Sequence, residues 1–408
     1  MWIRGNSMER KGPIVKIDAV DFFYLSMPEV TTDADGSQDA LLVRVVADGA
    51  VGWGECEASP LTSIAAFVAP MSHGACRPVG ASVEGQKLDG PDDIRRIALD
   101  VARNSMDLLQ SPHTFSGVEI AMWDLLGKVR GEPVWRLLGY RSSEPKVPYA
   151  SLLFGETPQD TLDRGNAAVA RGFRALKFGW AGFGEGSVEG DAEQLVAARE
   201  ALGPDGHLFV DAGQIWRTDV DAAADRMSAM ERVNADWLKE PFEADAYGAY
   251  SLLGQRTKVP LAGGEGAHNV HMARNLIDFA KVGFVQVDCG RIGGIGAAAL
   301  VADYAQERGV TYVNHTFTSH LALSASLQPF AGLADHRICE FPAEPRQLAV
   351  DVTTNHLVPD ANGEIRAPEM PGLGMSIDTR SLQQYLVEVE IDVGGRTLFS
   401  SSEQSLSS

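Results

Sequence analysis

Seven of eight short apolar segments between Val147 and Glu340 close on a side chain that can hold or move charge. In order these are Lys177, Asp211, Lys239 with its neighbour Glu240, Glu265, Asp288, His315 and Glu340. A single carboxylate after a strand is ordinarily the cap of the next helix, and a single histidine ordinarily packs. Seven in register is a different observation. Hard carboxylate oxygens on successive strands suit Mg²⁺. Such an ion would bind a substrate carboxylate and stabilise the enediolate that forms when the adjacent C–H ionises. The reaction also needs a base. His315 suits that role if Asp288, on the preceding strand, orients its ring and supports its positive charge. Lys177, on the opposite side, could hold the carboxylate or act as a second base.

These groups meet only if the segments that carry them form a closed parallel barrel. The expected strands are Val147–Phe154, Ala175–Phe178, Leu208–Asp211, Asp236–Lys239, Val259–Ala262, Phe284–Asp288, Thr311–Asn314 and Arg337–Glu340. Helical stretches such as Thr157–Arg171, Ala192–Leu202 and Gly294–Arg308 alternate with them, with Thr157 as a cap and Pro158 in the first turn. Alternation of this kind is an α/β pattern, and in a barrel the C-terminal strand ends share one mouth. The region before Val147 is α+β. It has strands over Ile14–Tyr24 and Ala40–Gly54, and helices over Asp93–Gln110 and Ser116–Val129. Between the two strands runs a polar loop, Pro28–Gln38, able to act as a lid.

The chain has 408 residues and a formal net charge of −20, which disfavours nucleic acid and anionic membranes as partners. An anionic substrate would need a local cation. The four cysteines, Cys56, Cys76, Cys289 and Cys339, fit neither a zinc knuckle nor a disulfide framework and read as free thiols in a reducing cytoplasm. No apolar run reaches membrane-spanning length. Residues 1–12 read as a loose leader, and the serine-rich 400–408 as a disordered tail.

The stretch SGVEIAMWDLLGKVRGEPVWRLLG, Ser116 to Gly139, followed in order by ALKFG, VDAGQ, WLKEP, GGEG, VQVDCGRIGGI and VNHTF, resembles the mandelate racemase branch of the enolase superfamily. The resemblance covers roughly Ile14 to Val393. It implies a modified TIM barrel, (β/α)₇β, over residues 141–355. It also implies an α+β capping domain built from 1–140 and completed by 356–399, and one Mg²⁺ per subunit of a homo-oligomer. Asp211 and Glu265 match the first and third metal ligands. Asp288 and His315 match the acid–histidine dyad, and Glu340 matches the glutamate that hydrogen-bonds the substrate carboxylate. Lys177 matches the first lysine of a Lys-x-Lys element.

The chain departs from that pattern at three positions. Gly179 stands where the second lysine belongs, which disfavours two-base racemisation and leaves one-base chemistry by His315. Dehydration of a sugar acid is then the expected reaction, with an epimerase or cycloisomerase as the alternative. Trp180 beside it is a candidate substrate wall. Lys239 stands where the middle metal ligand belongs. Either Glu240 swings in to serve as that ligand, or the Lys239 ammonium weakens the ion or partly replaces it as a fixed cation that touches substrate. In the extreme, the protein is a ligand-binding homologue with an impaired metal site. Gly213 replaces a frequent side-chain amide, for which Gln214 could compensate. His320, one helical turn past His315, is expected either to pack or to line the pocket as a substrate contact.

Overall fold

In the computed structural model, residues 13–406 are described, so the expected leader lies outside them. The N-terminal sheet is antiparallel, in the order β3-β2-β1-β4, from β1 (Val15–Ser26), β2 (Asp39–Ala47), β3 (Ala50–Cys56) and β4 (Lys87–Leu88). Sequence reading runs β2 and β3 together. Asp48 (φ 46°) and Gly49 (φ 79°) instead turn the chain through a two-residue hairpin. Asp-Gly suits such a turn because both residues tolerate positive φ. The helix Ser111–Arg130 packs across this sheet, longer by a turn at its start than its apolar spacing suggests. Gly52 and Gly54 permit the approach: a Cβ on either would come within 2.2 Å of a helix carbonyl, that of Ala121 or Gly117.

Eight parallel strands follow: β5 (Val147–Leu153), β6 (Ala175–Gly179), β7 (His207–Asp211), β8 (Ala235–Lys239), β9 (Leu261–Gly263), β10 (Phe284–Asp288), β11 (Thr311–His315) and β12 (Ile338–Pro342). Their hydrogen-bonded order, β11-β10-β9-β8-β7-β6-β5-β12, makes a nearly closed barrel. The α/β modified TIM barrel with a capping domain is therefore the observed fold. The barrel's lower interior is a packed layer of Tyr149, Ala175, Phe209, Trp237, Ala262 and Val313. Strand side chains alternate, so the inward positions two residues further along five of these strands are Ser151, Lys177, Asp211, Lys239 and His315. The pleat alone thus gathers charge at the C-terminal mouth.

The cap is docked by a carboxylate. Glu119, wholly buried in the long helix, accepts from the N–H groups of Ile295 (2.7 Å) and Gly296 (2.9 Å) at the start of the barrel helix Ile295–Arg308, and from Trp123 Nε1 (2.8 Å). Those N–H groups would otherwise be orphaned at the helix start. Asp124 receives Trp53 N and Leu373 N, both at 2.8 Å, so the Trp123–Asp124 pair is structural.

The C-terminal segment returns along the cap through Trp135 Nε1 donating to Pro368 O (3.0 Å) and forms a hairpin, β13 (Glu390–Val393) with β14 (Arg396–Ser400). The tail corrects an expectation. Through residue 406 it is packed rather than disordered, because Leu406 is buried, Gln404 Oε1 accepts from Phe22 N, and Ser405 O accepts from Arg44. All four cysteines are free. Among the described residues no helix is long and apolar enough to cross a membrane.

Candidate active site

The mouth of the barrel carries a continuous network of buried charges. Lys177 Nζ lies 3.1 Å from Asp211 Oδ2 and 2.6 Å from Glu340 Oε1. Lys239 Nζ lies 2.8 Å from the same Asp211 oxygen, is in contact with Glu265 Oε2, and is 4.0 Å from Glu240 Oε2. Its side chain is 0% exposed. Burial by itself would discharge these groups, but opposite charges at such distances outweigh it. Asp211 is held below the ordinary carboxylate range against its burial by Lys239 and Lys177. Glu265 is held well below it, also against burial, by His315, Lys239 and Arg291. Both lysines are pushed up by their carboxylates, Lys239 well above its usual value.

Glu240 reaches this network by a backbone device. On a regular strand it would face away from Lys239. Its φ of 44° breaks the pleat at the end of β8 and turns the carboxylate inward, where it accepts from Gly264 N (3.4 Å) and Gln214 Nε2 (3.3 Å). Burial, and then the charge of Glu265, push its pKa upward. The three carboxylates expected to hold Mg²⁺ are thus brought together, but the place between them is filled by the Lys239 ammonium. Among the described residues no group of three or more His, Cys, Asp or Glu side chains is arranged to hold a metal ion. A divalent ion does not fit these residues as they stand. Asp211, Glu240 and Glu265, the expected metal ligands, each face the Lys239 ammonium in this arrangement.

His315 Nδ1 is 2.7 Å from Asp288 Oδ2. That contact assigns the proton to Nδ1 and leaves Nε2 facing the centre, 3.3 Å from Glu265 Oε2 and 3.9 Å from Glu340 Oε2. Burial would lower the pKa of the ring. The charges of Glu265 and Glu340 and the hydrogen bond to Asp288 outweigh it and raise the value to about 9. Glu340 also accepts from Thr316 N (3.0 Å) and is held low, against its burial, by Lys177 and His315.

The remaining sequence candidates divide. Gln214 belongs to the site's wall through Glu240. Trp180 (φ 55°) is 39% exposed at the rim, and its ring lies over Gly213, where a Cβ would come within 2.7 Å of it; Gly213 is small because Trp180 covers it. His320 is not in the cluster. Its ring stacks on His356 at 4.6 Å and accepts from Leu357 N, so it packs against the C-terminal segment, and burial followed by the His356 charge lowers its pKa to about 4. Gly179 has no room for a longer side chain: a Cβ there would lie 2.5 Å from Asp211 Cβ.

Sequence reasoning missed Arg291, Glu57 and Ser151. Arg291 contacts the Glu57 carboxylate of the cap and lies 3.7 Å from Glu265 Oε1, so it ties cap to barrel at the mouth. Its position three residues past Asp288, on the turn that leaves β10, was the available signal. Ser151, in register with Lys177, has a buried Oγ without a hydrogen-bond partner among the described residues. It lines a cavity of about 460 Å³ with Asp33, Asp35, Phe154, Arg164, Phe317 and Arg346. The lid loop closes one side of that cavity, pinned by Arg346 to Asp35 (2.7 Å) and Asp33 (3.2 Å).

A barrel of this topology, an α+β cap and a strand-end acid–histidine dyad define an enolase-type enzyme. Residues 25–139 match the mandelate racemase / muconate lactonizing enzyme N-terminal domain, and residues 161–381 match the enolase C-terminal domain-like family. The chain belongs to the mandelate racemase / muconate lactonizing enzyme family of the enolase superfamily. It is 30% identical to a D-galactarolactone cycloisomerase of Agrobacterium fabrum, over 83% of this chain and 88% of that one. It is 27% identical to a D-gluconate dehydratase of Thermoproteus tenax, over 90% of this chain and 74% of that one. A solved structure from Rhodobacter sphaeroides, described as a "predicted Mandelate racemase", is 63% identical, with a TM-score of 0.91, over 95% of this chain and 99% of that one. Superfamily members generally bind Mg²⁺, which makes the lysine at the centre of this site a departure within the family.

Proposed function

We propose that this enzyme is a hydro-lyase. It removes the proton next to the carboxylate of a small sugar acid and expels the β-hydroxyl, giving a 2-keto-3-deoxy acid. The observation that carries the reading is one imidazole: His315 Nε2 faces the centre of the site with Nδ1 held by Asp288, and Gly179 leaves no space for a base at its own position.

The chemistry closes with one imidazole. The C2–H bond breaks and its proton goes to His315 Nε2. The electron pair passes into the carboxylate as an enediolate, beside the Lys177 and Lys239 ammonium groups, where preorganised positive charge is worth most. The pair returns to form C2=C3 as the C3–O bond breaks. The Nε2 proton goes to the departing hydroxyl, which leaves as water, and the enol ketonises. In this scheme Glu340, ionised and 2.6 Å from Lys177, positions that lysine and does not itself donate a proton. The cavity of about 460 Å³ beyond Ser151 lies within the usual range for small-molecule sites. It offers the substrate's hydroxyls Ser151, Arg164 and the lid carboxylates. The relative named D-gluconate dehydratase supports the same reading.

Incubation with a panel of aldonates and aldarates, with and without Mg²⁺, followed by 2-keto acid detection, tests the proposal. A blank across the panel overturns it. The relative named D-galactarolactone cycloisomerase favours a second reading, an isomerase with Lys177 as the partner acid–base group. Solvent deuterium at the α-carbon of recovered substrate, lost in both His315→Asn and Lys177→Met, would select it.

A further inference from the structure

The cation at the centre of this site is covalently attached. Lys239 Nζ stands among Asp211, Glu265 and Glu240, fully enclosed. An ammonium group brings three N–H donors. Two are engaged by Asp211 Oδ2 and Glu265 Oε2, and the third has no hydrogen-bond acceptor among the described residues. Lys177 Nζ shares the same Asp211 oxygen from the other side. The two ammonium groups therefore straddle one carboxylate oxygen and together carry +2, beside the histidine that would take the proton.

The Lys239 ammonium already lies against Asp211 and Glu265, the two carboxylates that an ion would need. An ion entering would have to expel a buried ammonium from two ionised partners, or sit beside it against direct repulsion.

We propose that Lys239 Nζ is the resident cation of this site. With Lys177 it receives the substrate carboxylate and the enediolate made from it, so that the enzyme works without a bound divalent metal. The catalytic half of this statement rests on the proton-abstraction reading above; the metal half does not.

Mn²⁺ is the probe that separates the two. The full-length protein, dialysed against EDTA, is titrated with MnCl₂ while free Mn²⁺ is followed by electron paramagnetic resonance. The wild type is expected to show no stoichiometric uptake. Lys239→Glu is expected to gain one site per chain, at least about tenfold tighter than any wild-type binding, because it completes an oxygen ligand set. Lys239→Met, which removes the charge without adding a ligand, is expected to gain none. With a substrate in hand, EDTA-treated wild type keeps its full rate, and Lys239→Met loses on the order of a hundredfold or more in kcat.

One Mn²⁺ per wild-type chain, or loss of turnover in EDTA, overturns the proposal. If Lys239→Glu does not fold, the wild-type titration decides alone: uptake refutes and absence supports. A blank in the substrate panel would sink the dehydratase reading and leave the Mn²⁺ result standing.

Discussion

Replacing Asp288 by asparagine tests the acid–base assignment most directly, because it removes one charge from behind His315 at nearly constant volume. In the wild type the imidazole is raised to about 9, despite burial that favours the neutral ring, by Glu265, Glu340 and the 2.7 Å hydrogen bond to Asp288. A base must be neutral to act. Below that value the ring is imidazolium and kcat/KM should rise tenfold per pH unit, flattening only near pH 9, since this limb reports the free enzyme. The bond to Asp288 is charge-assisted and contributes about 1.5–3 kcal/mol. At 1.36 kcal/mol per pKa unit, its loss should move the limb down by about one to two units, to roughly pH 7–8. The side-chain amide of the Asp288→Asn variant can also donate to Nδ1 and trap the ring with its proton on Nε2, so the plateau rate should fall by about 10²–10⁴. The limb would be read from initial rates of 2-keto acid formation. An independent reading is the ¹³Cε1 shift of His315 titrated by NMR, which needs no substrate. A wild-type midpoint at the ordinary histidine value, or a midpoint that stays at about 9 in Asp288→Asn, would refute the assignment.

Glu119→Gln exchanges an acceptor of three donors for a group that must point an N–H at one of them. Equilibrium unfolding should show a loss of about 2–3 kcal/mol, and a change within error would mean that cap docking does not depend on this carboxylate. Arg346→Gln frees the lid from Asp33 and Asp35. As that pair is partly exposed, stability should shift by less than about 1 kcal/mol, while loop cleavage in limited proteolysis accelerates and KM rises more than kcat falls. His320→Phe should leave turnover within about twofold of wild type, because the ring stacks on His356 outside the cluster. The same substitution has a pH signature. The pKa of His320 falls from 6.5 when unfolded to about 4 when folded, chiefly by burial, so its contribution is present above pH 6.5 and lost as pH falls towards 4. The phenylalanine variant should therefore lose less stability than wild type over that window, by about 2–3 kcal/mol at pH 4; parallel curves would count against the buried neutral ring.

Much of the fold was legible because its signals are local. Short apolar runs ending in Lys177, Asp211, Asp288, His315 and Glu340 mark both the strands and the mouth, and the strand period of two turns their inward direction into a matter of counting. The Asp48-Gly49 turn was equally local and was passed over because apolar residues continue on both sides of it. What could not be read was of another kind. Arg291 meets Glu57 across 234 residues of chain, a contact set by how the cap sits and not by any pattern near either residue. Whether His320 packs or lines the pocket could not be read, because one turn of helix past His315 says where a Cα lies but not that His356 will stack on the ring. At Lys239 the register was certain, while the resting place of a nitrogen at the end of a long flexible stem was not.

The two lysine anomalies are linked through one residue. Gly179 and Lys239 lie on the strands that flank β7, and both face Asp211. A side chain at 179 would press on Asp211 Cβ at 2.5 Å, whereas the nitrogen of Lys239 binds Asp211 Oδ2 at 2.8 Å. On one flank Lys177 alone reaches this carboxylate, with glycine at 179, and on the other stands Lys239. This arrangement leaves no base at 179 and places a fixed positive charge where the first ligand of an ion would point. Under the two proposals made above, one-base chemistry and a metal-free site are two consequences of how one aspartate is neutralised. On this view Asp211 survives as the anion that holds two ammonium groups together facing the substrate.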